Sequence, residues 1–243
     1  MEVINDLLGY DGLKIIQDTD SFRFSLDSAF LADFVSVNDK ITHILDMCSG
    51  NGPVPLLLSL KTSCKIIGVE LQEHAYSLAK RSIELNKLEN QIEMLNMDVN
   101  DLPNVYSNYT FNIITCNPPY FKYQENSHIN KNDALTIARH EVKLNLAQML
   151  DVAFKLLKDN GSFYFCHRVD RLEEIFVELN KKKFAIKKMR FIYPKRGKEA
   201  YLVLIEARKN AKPGSLKLLE PLIVYEENDY TEEVKKMFMT GRD

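Results

Sequence analysis

The stretch that decides the fold is residues 41–60, ITHILDMCSGNGPVPLLLSL. Residues 41–47 form a short apolar run typical of a buried strand, and residues 53–60 begin with a proline that suits the first turn of a helix. Between the two elements, Gly50 and Gly52 allow a sharp turn and a close approach of a ligand to the backbone. A strand, a glycine loop and a helix in this order are typical of an α/β protein that binds a ligand at a strand end.

The alternation of strands and helices continues on both sides of this stretch. Strands are predicted at residues 65–70, 91–97, 111–116, 161–167, 184–193 and 200–207, and helices at residues 26–35, 72–87, 145–158 and 171–183. Parallel strands joined by right-handed helical crossovers carry helices on both faces of the sheet. We therefore expect an α/β fold in which ligands bind beyond the carboxyl ends of the strands.

Composition indicates a folded globular protein. Of its 243 residues, 45% are hydrophobic and 27% are charged, which excludes a mainly disordered or collagen-like chain. The N-terminus carries acidic residues where a secretory signal would carry basic ones, and no apolar run has the length of a membrane span. The four cysteines show neither a CxxC pair nor a metal-ligand spacing, so we expect reduced thiols, no bound metal and a cytoplasmic location.

The distribution of charge is informative where the total is not. A net charge of −2 alone argues against a nucleic-acid partner, but residues 181–198 hold nine basic residues and no acidic one, interleaved with aromatic residues. Such a segment could bind a polyanion. A solvated helix end that runs into an edge strand is the alternative, and the sequence leaves both open.

Acidic residues end three successive predicted strands. Asp46 ends the first, Glu70 ends the second, and Asp98 follows the third. A carboxylate in the position of Glu70 can accept both hydroxyl groups of a ribose, and Asp98 could bind an adenine amino group. Pro55 stands where a dinucleotide fingerprint needs a small residue, and the chain has no P-loop motif. Each acid alone is more often a turn or cap residue, but together they predict a nucleoside site without a phosphate-binding loop.

Asn117, Pro118, Pro119 and Tyr120 follow the fourth predicted strand. The side-chain oxygen of Asn117 and the carbonyl of Pro118 can accept the two hydrogens of a planar amine, and the prolines restrict the backbone that carries them. Tyr120 offers a ring on which a base can stack. The motif predicts methyl transfer to a conjugated amine by positioning alone. A simple Asn-Pro turn is the structural alternative.

The sequence resembles the bacterial tRNA1(Val) adenosine-37 N6-methyltransferase family of class I S-adenosylmethionine-dependent methyltransferases. The likeness is carried by RFSLDSAFLADF, LDMCSGNGPVPLLL, GVELQEHAYSLAKRS, CNPPYFK, IARHE and RFIYPK. It implies a Rossmann-like α/β fold with a mixed, mostly parallel sheet, S-adenosylmethionine as cofactor and tRNA as partner. It also implies a single domain, in which an N-terminal cofactor-covering segment (residues 1–40) precedes a catalytic core (41–207) and a C-terminal appendage (208–243).

The resemblance assigns roles to particular residues. The catalytic residues would be Asn117, Pro118, Pro119 and Tyr120. The loop of Asp46 would hold the methionine end of the cofactor, Glu70 the ribose and Asp98 the adenine. The whole cofactor set would be Arg23, Phe24, Ser25, Asp27, Asp46, Cys48, Ser49, Gly50, Gly52, Glu70, Leu71, Asp98, Val99 and Asn117. The RNA-binding set would be Lys122, Arg139, Lys187, Lys188, Arg190, Lys195, Arg196 and Lys198.

Three other functions stay open at this point. The same motif serves methyltransferases of protein glutamine amides, which have no need of a basic segment. Relatives with phenylalanine in place of Tyr120 methylate guanine N2 of ribosomal RNA. A non-catalytic RNA-binding scaffold is the third alternative, and the intact motif at Asn117 argues against it. The pair His140-Glu141 lacks a third metal ligand, which agrees with the expected absence of a metal.

Overall fold

The computed structural model describes residues 1–7, 12–19, 25–118 and 144–237. The strands are β1 (Glu2–Asp6), β2 (Lys14–Asp18), β3 (His43–Met47), β4 (Lys65–Glu70), β5 (Ile92–Asn96), β6 (Phe111–Cys116), β7 (Leu157–Arg168), β8 (Phe184–Tyr193), β9 (Leu202–Lys209), β10 (Lys217–Leu218), β11 (Leu222–Ile223), β12 (Tyr225–Glu226) and β13 (Asp229–Tyr230). The α-helices are α1 (Leu26–Phe34), α2 (Pro53–Ser59), α3 (Glu73–Leu85), α4 (Leu102–Val105), α5 (Leu146–Leu156), α6 (Leu172–Lys181) and α7 (Glu232–Met237).

The central sheet has the strand order β5-β4-β3-β6-β7-β9-β8, with β10 and β11 pairing the outer edge of β8. Only β9 runs antiparallel to its neighbours among these described strands. Within the central sheet, the chain begins at β3, continues outward through β4 to β5, and then returns to β6 on the other side of β3. The order of strands therefore reverses between β3 and β6, and a crevice opens at their carboxyl ends.

Helices cover both faces of the sheet. Successive strand residues point to opposite faces, so Ile44 lies in the core beneath α1 and α2, whereas Leu45 lies in the core beneath α5 and α6. Because both faces are buried, the strands read as continuous apolar runs in the sequence. The predicted α/β fold, with a mixed and mostly parallel sheet and helices on both faces, is confirmed.

Gly52 makes the turn from β3 into α2. Its φ of +87° lies in the left-handed region, and a Cβ added there would lie 3.2 Å from the Cβ of Ala79 on α3. Of the two roles expected for Gly52, the sharp turn is observed together with a packing contact to α3, and the approach of a ligand stays a prediction.

Two lysines hold the C-terminal end of α1. Lys61 donates from Nζ to the carbonyls of Ala32, Asp33 and Val35 at 3.0, 2.8 and 2.7 Å. Lys188 donates to the carbonyl of Phe34 at 2.7 Å. Carbonyl groups at a helix C-terminus lack helical partners and favour cations, so these two side chains fix α1 against the sheet.

The sequence interpretation missed an N-terminal hairpin. Strands β1 and β2 pair antiparallel, and Ile16 donates its backbone N–H to the Ser82 hydroxyl on α3 at 2.9 Å. The side chain of Asn51, in the loop after β3, donates to the carbonyl of Ile16 at 3.1 Å. The hairpin thus connects α3 to the glycine loop.

The C-terminal segment packs on the outer edge of the sheet. Leu222, Val224 and Val234 are buried in the core on the α1 face. Leu222, Val224 and Val234 share this core with residues of the predicted catalytic core. The predicted boundary at residue 208 is not tested by this contact and stays a prediction. Among the residues that the structure describes, no helix has both the length and the apolar composition that a membrane span requires.

Replacement of Gly52 by alanine should destabilise the protein by roughly 2 kcal/mol or more, because it adds left-handed strain and a close contact with Ala79. Gly214→Ala is the matched control, since Gly214 has a φ of +95° and a Cβ there would meet no described atom within 4 Å. Only the strain, about 1 kcal/mol, should appear in the control. Urea unfolding measures both, and equal losses would contradict the packing role.

Candidate active site

The loop after β3 is fixed to β4 through Ser49. Its backbone N–H donates to the carbonyl of Val69 at 2.9 Å, and its hydroxyl accepts the Val69 N–H at 3.1 Å. The same hydroxyl donates to the Asp46 carboxyl at 2.7 Å. Cys48 and Gly50, on either side, have φ values of +59° and +56°. Since Cys48 takes a conformation that favours glycine, the loop must be held by its neighbours.

Glu70 closes the other side of this loop. Its carboxyl group is buried at the end of β4, where Oε2 accepts the N–H of Gly50 and Oε1 accepts the N–H of Gln72, both at 2.8 Å. Burial raises the pKa of Glu70, and these backbone hydrogen bonds partly offset the effect. A buried carboxyl group therefore faces the crevice with its orientation fixed at both oxygens.

Asp46 links β3 to β6 where the strand order reverses. It is 1% exposed, and its Oδ1 accepts the Thr115 hydroxyl of β6 at 2.6 Å. Burial raises the pKa of Asp46 to about 7, although hydrogen bonds from Thr115 and Ser49 lower it. The resemblance assigned Asp46 to the cofactor, and its observed contacts shape the loop that would hold the cofactor.

The ends of β4 and β5 lie side by side. Asn96 donates from its side chain to the carbonyls of Glu70 and Leu71 at 2.9 and 3.0 Å. Asp98 caps the short helical turn that begins at the buried Val99, and its Oδ1 accepts the Asn100 N–H at 2.8 Å. The structure thus brings Glu70, Leu71, Asp98 and Val99 to the same edge of the sheet as the glycine loop.

Asn117 lies beside that loop because Cys116 pairs with Met47. Its side-chain Nδ2 donates to the Ser28 hydroxyl on α1 at 3.0 Å, and its Oδ1 accepts the thiol of Cys166 on β7 at 3.1 Å. The carboxamide is therefore contacted from two elements at once. Pro118 is buried, whereas Pro119 and Tyr120 lie outside the described residues.

The N-terminal end of α1 reaches the same edge. Ser25 occupies the N-cap position, and Asp27 lies in the first turn. Burial, together with the neighbouring Asp27 carboxylate, raises the pKa of Tyr201, which precedes β9. Arg23 and Phe24 lie outside the described residues.

The described residues of the predicted RNA-binding set form two groups, one on strand β8 and one in the turn after it. Lys187 donates from Nζ to the carbonyls of Lys212 and Gly214, and Arg190 donates to the carbonyl of Glu220 and pairs with Glu233. Their charged groups therefore hold the C-terminal segment.

Two residues of the predicted RNA-binding set, Lys188 and Arg190, have little exposed charge. The ammonium group of Lys188 donates a hydrogen bond to the carbonyl of Phe34 at the end of α1 and lies 4.2 Å from the centre of the Phe34 ring. The Arg190 side chain is only 12% exposed. Both side chains thus have contacts within the protein, and their assignment to RNA stays a prediction.

The second group is exposed. Lys195, Arg196 and Lys198 lie in the turn that follows β8, at the same sheet edge as Asn117. Lys195 also donates to the carbonyl of Glu227 at 2.6 Å. Lys122 and Arg139 fall outside the described residues.

Sequence reasoning missed three residues of the site: Ser28, Thr115 and Cys166. Ser28 and Thr115 are buried polar residues within apolar segments, and an unexplained hydroxyl in such a segment is the signal that could have found them. Cys166 gives no such signal, because a buried cysteine is ordinary in a strand. No cluster of potential metal ligands occurs among the residues with described positions.

The elevated pKa of Asp46 has a measurable consequence. Because the native carboxyl group binds its proton more tightly than the unfolded chain does, its contribution to stability is complete below about pH 4 and is lost as the pH rises towards 7. Asp46→Asn removes this titration. Relative to the parent, the variant should gain about 2 kcal/mol in free energy of unfolding between pH 5.5 and pH 8. Urea unfolding at both pH values measures it, and a constant difference would contradict the assignment.

Comparison with known proteins finds similarity to methyltransferases. The sequence profile of a family described as a methyltransferase domain matches residues 38–233. A tRNA1(Val) (adenine(37)-N6)-methyltransferase of Haemophilus influenzae (strain PittGG) is 29% identical over 226 residues, which cover 92% of each chain. A protein of the same name from Dyadobacter fermentans is 23% identical and covers 89% of this chain and 88% of its own.

Solved structures share the fold. A predicted O-methyltransferase from Agrobacterium tumefaciens superposes with a TM-score of 0.67 at 20% identity, covering 88% of this chain and 96% of its own. A tRNA methyltransferase from M. jannaschii gives a TM-score of 0.59 at 21% identity, covering 87% and 55%. The Rossmann-like fold, the profile match and the resemblance drawn from the sequence agree, and the chain belongs to the methyltransferase domain family.

Proposed function

We propose that this protein transfers a methyl group from S-adenosylmethionine to N6 of an adenosine in tRNA, at position 37 of a valine tRNA as in its curated relatives. The observation that carries the proposal is the Asn117 carboxamide, which is held at the carboxyl end of β6 directly beside the glycine loop.

The residues present fit the cofactor. A Cβ added at Gly50 would meet no described atom within 4 Å, so none of the described residues blocks the approach of a ligand to the loop at that point. The buried Glu70 carboxyl group borders the same loop, in a position suited to ribose hydroxyls. Asp98, at the neighbouring strand end, would hold the adenine, and Ser25 and Asp27 would approach from α1.

The chain's own contribution to the chemistry is positioning. When bound, S-adenosylmethionine would supply an electrophilic methyl group: the lone pair of the amine nitrogen forms the new bond to carbon, the carbon–sulfur electron pair stays on sulfur, and the methylated nitrogen then releases one proton to water. The Asn117 oxygen and the Pro118 carbonyl would accept the two N–H groups of the adenine amine. A carbonyl oxygen has two lone pairs, so Asn117 can accept from the substrate and from Cys166 together. Holding the nitrogen in line with the methyl group lowers the barrier without a general base.

The exposed turn after β8 supports RNA as the substrate. Lys195, Arg196 and Lys198 project at the edge where the target base would enter, and Lys and Arg side chains bind phosphates through charge. A protein-glutamine methyltransferase would gain nothing from these cations. Relatives that methylate guanine N2 have phenylalanine in place of Tyr120, so the tyrosine at this position favours adenine as the target base. Action on tRNA agrees with the predicted cytoplasmic location.

Asn117→Ala should reduce turnover by about 100- to 1000-fold, since it removes a preorganised acceptor from the reacting amine. Cofactor affinity should stay within about twofold, because the loop and Glu70 are untouched. N6-methyladenosine formed in valine tRNA, together with calorimetric binding of the cofactor, measures both quantities.

The matched control is Asn112→Ala, because Asn112 lies on the same strand but its side chain accepts the Thr42 N–H at the opposite edge. It should keep parental turnover per folded molecule. Undiminished turnover of Asn117→Ala would show that the catalytic assignment is wrong.

Replacement of Lys195, Arg196 and Lys198 together by alanine should raise KM for tRNA roughly tenfold at 150 mM salt and flatten its salt dependence. The control triple Lys40, Lys65 and Lys155→Ala removes the same charge from the opposite edge and should leave KM unchanged. KM measured between 50 and 200 mM salt separates the two. A shared increase in both triples would indicate only general electrostatics.

A further inference from the structure

Two buried residues, Ser28 and Cys166, contact the Asn117 carboxamide, and the sequence motifs assigned a role to neither of them. We propose that Ser28 and Cys166 are positioning residues that hold this carboxamide in its reactive orientation. The inference rests on the proposed function, since it assigns to both residues a role that acts only through Asn117.

The register of the sheet places Cys166 at the level of Asn117. Strands β6 and β7 run parallel, and Cys116 pairs with Phe165. The next residue on each strand is therefore Asn117 on one and Cys166 on the other, and the thiol donates to Oδ1 at 3.1 Å. Cys166 is fully buried, so water does not compete for this contact.

Ser28 holds the other end of the carboxamide from a different element. It lies in α1, is 5% exposed, and its hydroxyl accepts from Nδ2 at 3.0 Å. A side-chain amide with hydrogen bonds at both ends cannot rotate freely about its last torsion. The plane of the group is thus set by α1 on one side and by β7 on the other.

The helix that carries Ser28 is itself anchored. Lys61 and Lys188 hold the C-terminal carbonyls of α1, as described above, and the Phe34 ring packs edge-on against Tyr164 of β7 at 5.9 Å between centroids. Tyr164 and Cys166 lie two residues apart, so both point to the α1 face of the sheet. The same strand therefore supports the helix and contacts the carboxamide.

A thiol suits this position chemically. It is a weak hydrogen-bond donor, so it withdraws little electron density from the oxygen that must also accept the substrate amine. A loss of the thiol would leave the oxygen intact but its direction less defined. The effect should therefore fall on the rate of the bound complex and not on the affinity for cofactor or RNA.

The test compares Cys166→Ala with Cys166→Ser, which differ from each other only by a hydroxyl group. Under saturating cofactor and valine tRNA, the alanine variant should lose roughly tenfold in kcat, about what one neutral hydrogen bond provides. The serine variant should recover to within about threefold of the parent, because its hydroxyl also donates. Cofactor Kd and KM for tRNA should stay within about twofold in both.

Two further variants complete the test. Ser28→Ala should show the same split, a lower kcat of roughly tenfold with unchanged KM, and it decides the question if Cys166→Ala fails to fold. Cys64→Ala changes a partly buried thiol near the opposite sheet edge and should leave kcat unchanged.

Parental kcat in Cys166→Ala, or equal losses in the alanine and serine variants, would overturn the proposal, the second by showing that only packing was lost. These outcomes are distinct from a failure of the proposed function, which would appear as full turnover in Asn117→Ala.

Discussion

The site depends on one constraint, the hydrogen bond from the Gly50 backbone N–H to the buried Glu70 carboxyl group. It joins the loop after β3 to the end of β4 and fixes a backbone that turns through the left-handed region. Burial of an acid is costly unless its oxygens are paired, and here the backbone supplies the partners. Folding thus keeps the Glu70 carboxyl group in place at the end of β4, where it could accept hydrogen bonds from a nucleoside.

Asp46 extends this constraint across the switch in strand order. Its carboxyl group contacts Thr115 on β6 and Ser49 in the loop, so the strand that carries Asn117 and the loop beside it share one buried acid. Helix α1 also contacts this region: Ser28 near its N-terminal end accepts a hydrogen bond from Asn117, and two lysines bind the carbonyls of its C-terminal end. Catalysis by positioning requires such rigidity, because the enzyme supplies geometry rather than a nucleophile.

Much of the fold could be predicted from the sequence, because the buried strands are apolar and alternate with amphipathic helices. The β1–β2 hairpin could not, since four of the five residues of β1 are exposed and show no alternation. The short strands β10 and β11 could not be predicted for another reason. Each has only two residues, too few to show a periodic pattern of hydrophobic residues, and tertiary contacts decide their pairing with β8. The shared position of the strand-end acids and Asn117 at one edge of the sheet could be predicted, because each of them follows or ends a strand that the sequence pattern identifies.

The partners of Asn117 could not be predicted, because contacts between α1, β6 and β7 join residues about 50 to 90 positions apart. The basic segment shows the same limit. Charge alone pointed to RNA along residues 181–198, but the charged groups of Lys188 and Arg190 contact α1 and the C-terminal segment, whereas the turn at Lys195 to Lys198 is exposed. Local composition indicates that cations are present and cannot say which group each one meets.

A crystal structure with bound S-adenosylhomocysteine would locate the cofactor relative to Glu70 and Asn117. We expect the ribose hydroxyls within hydrogen-bond distance of the Glu70 carboxyl group, the sulfur facing Asn117, and room for a base between them. A ligand bound at another edge of the sheet, or one whose sulfur is separated from Asn117 by protein, would contradict this expectation.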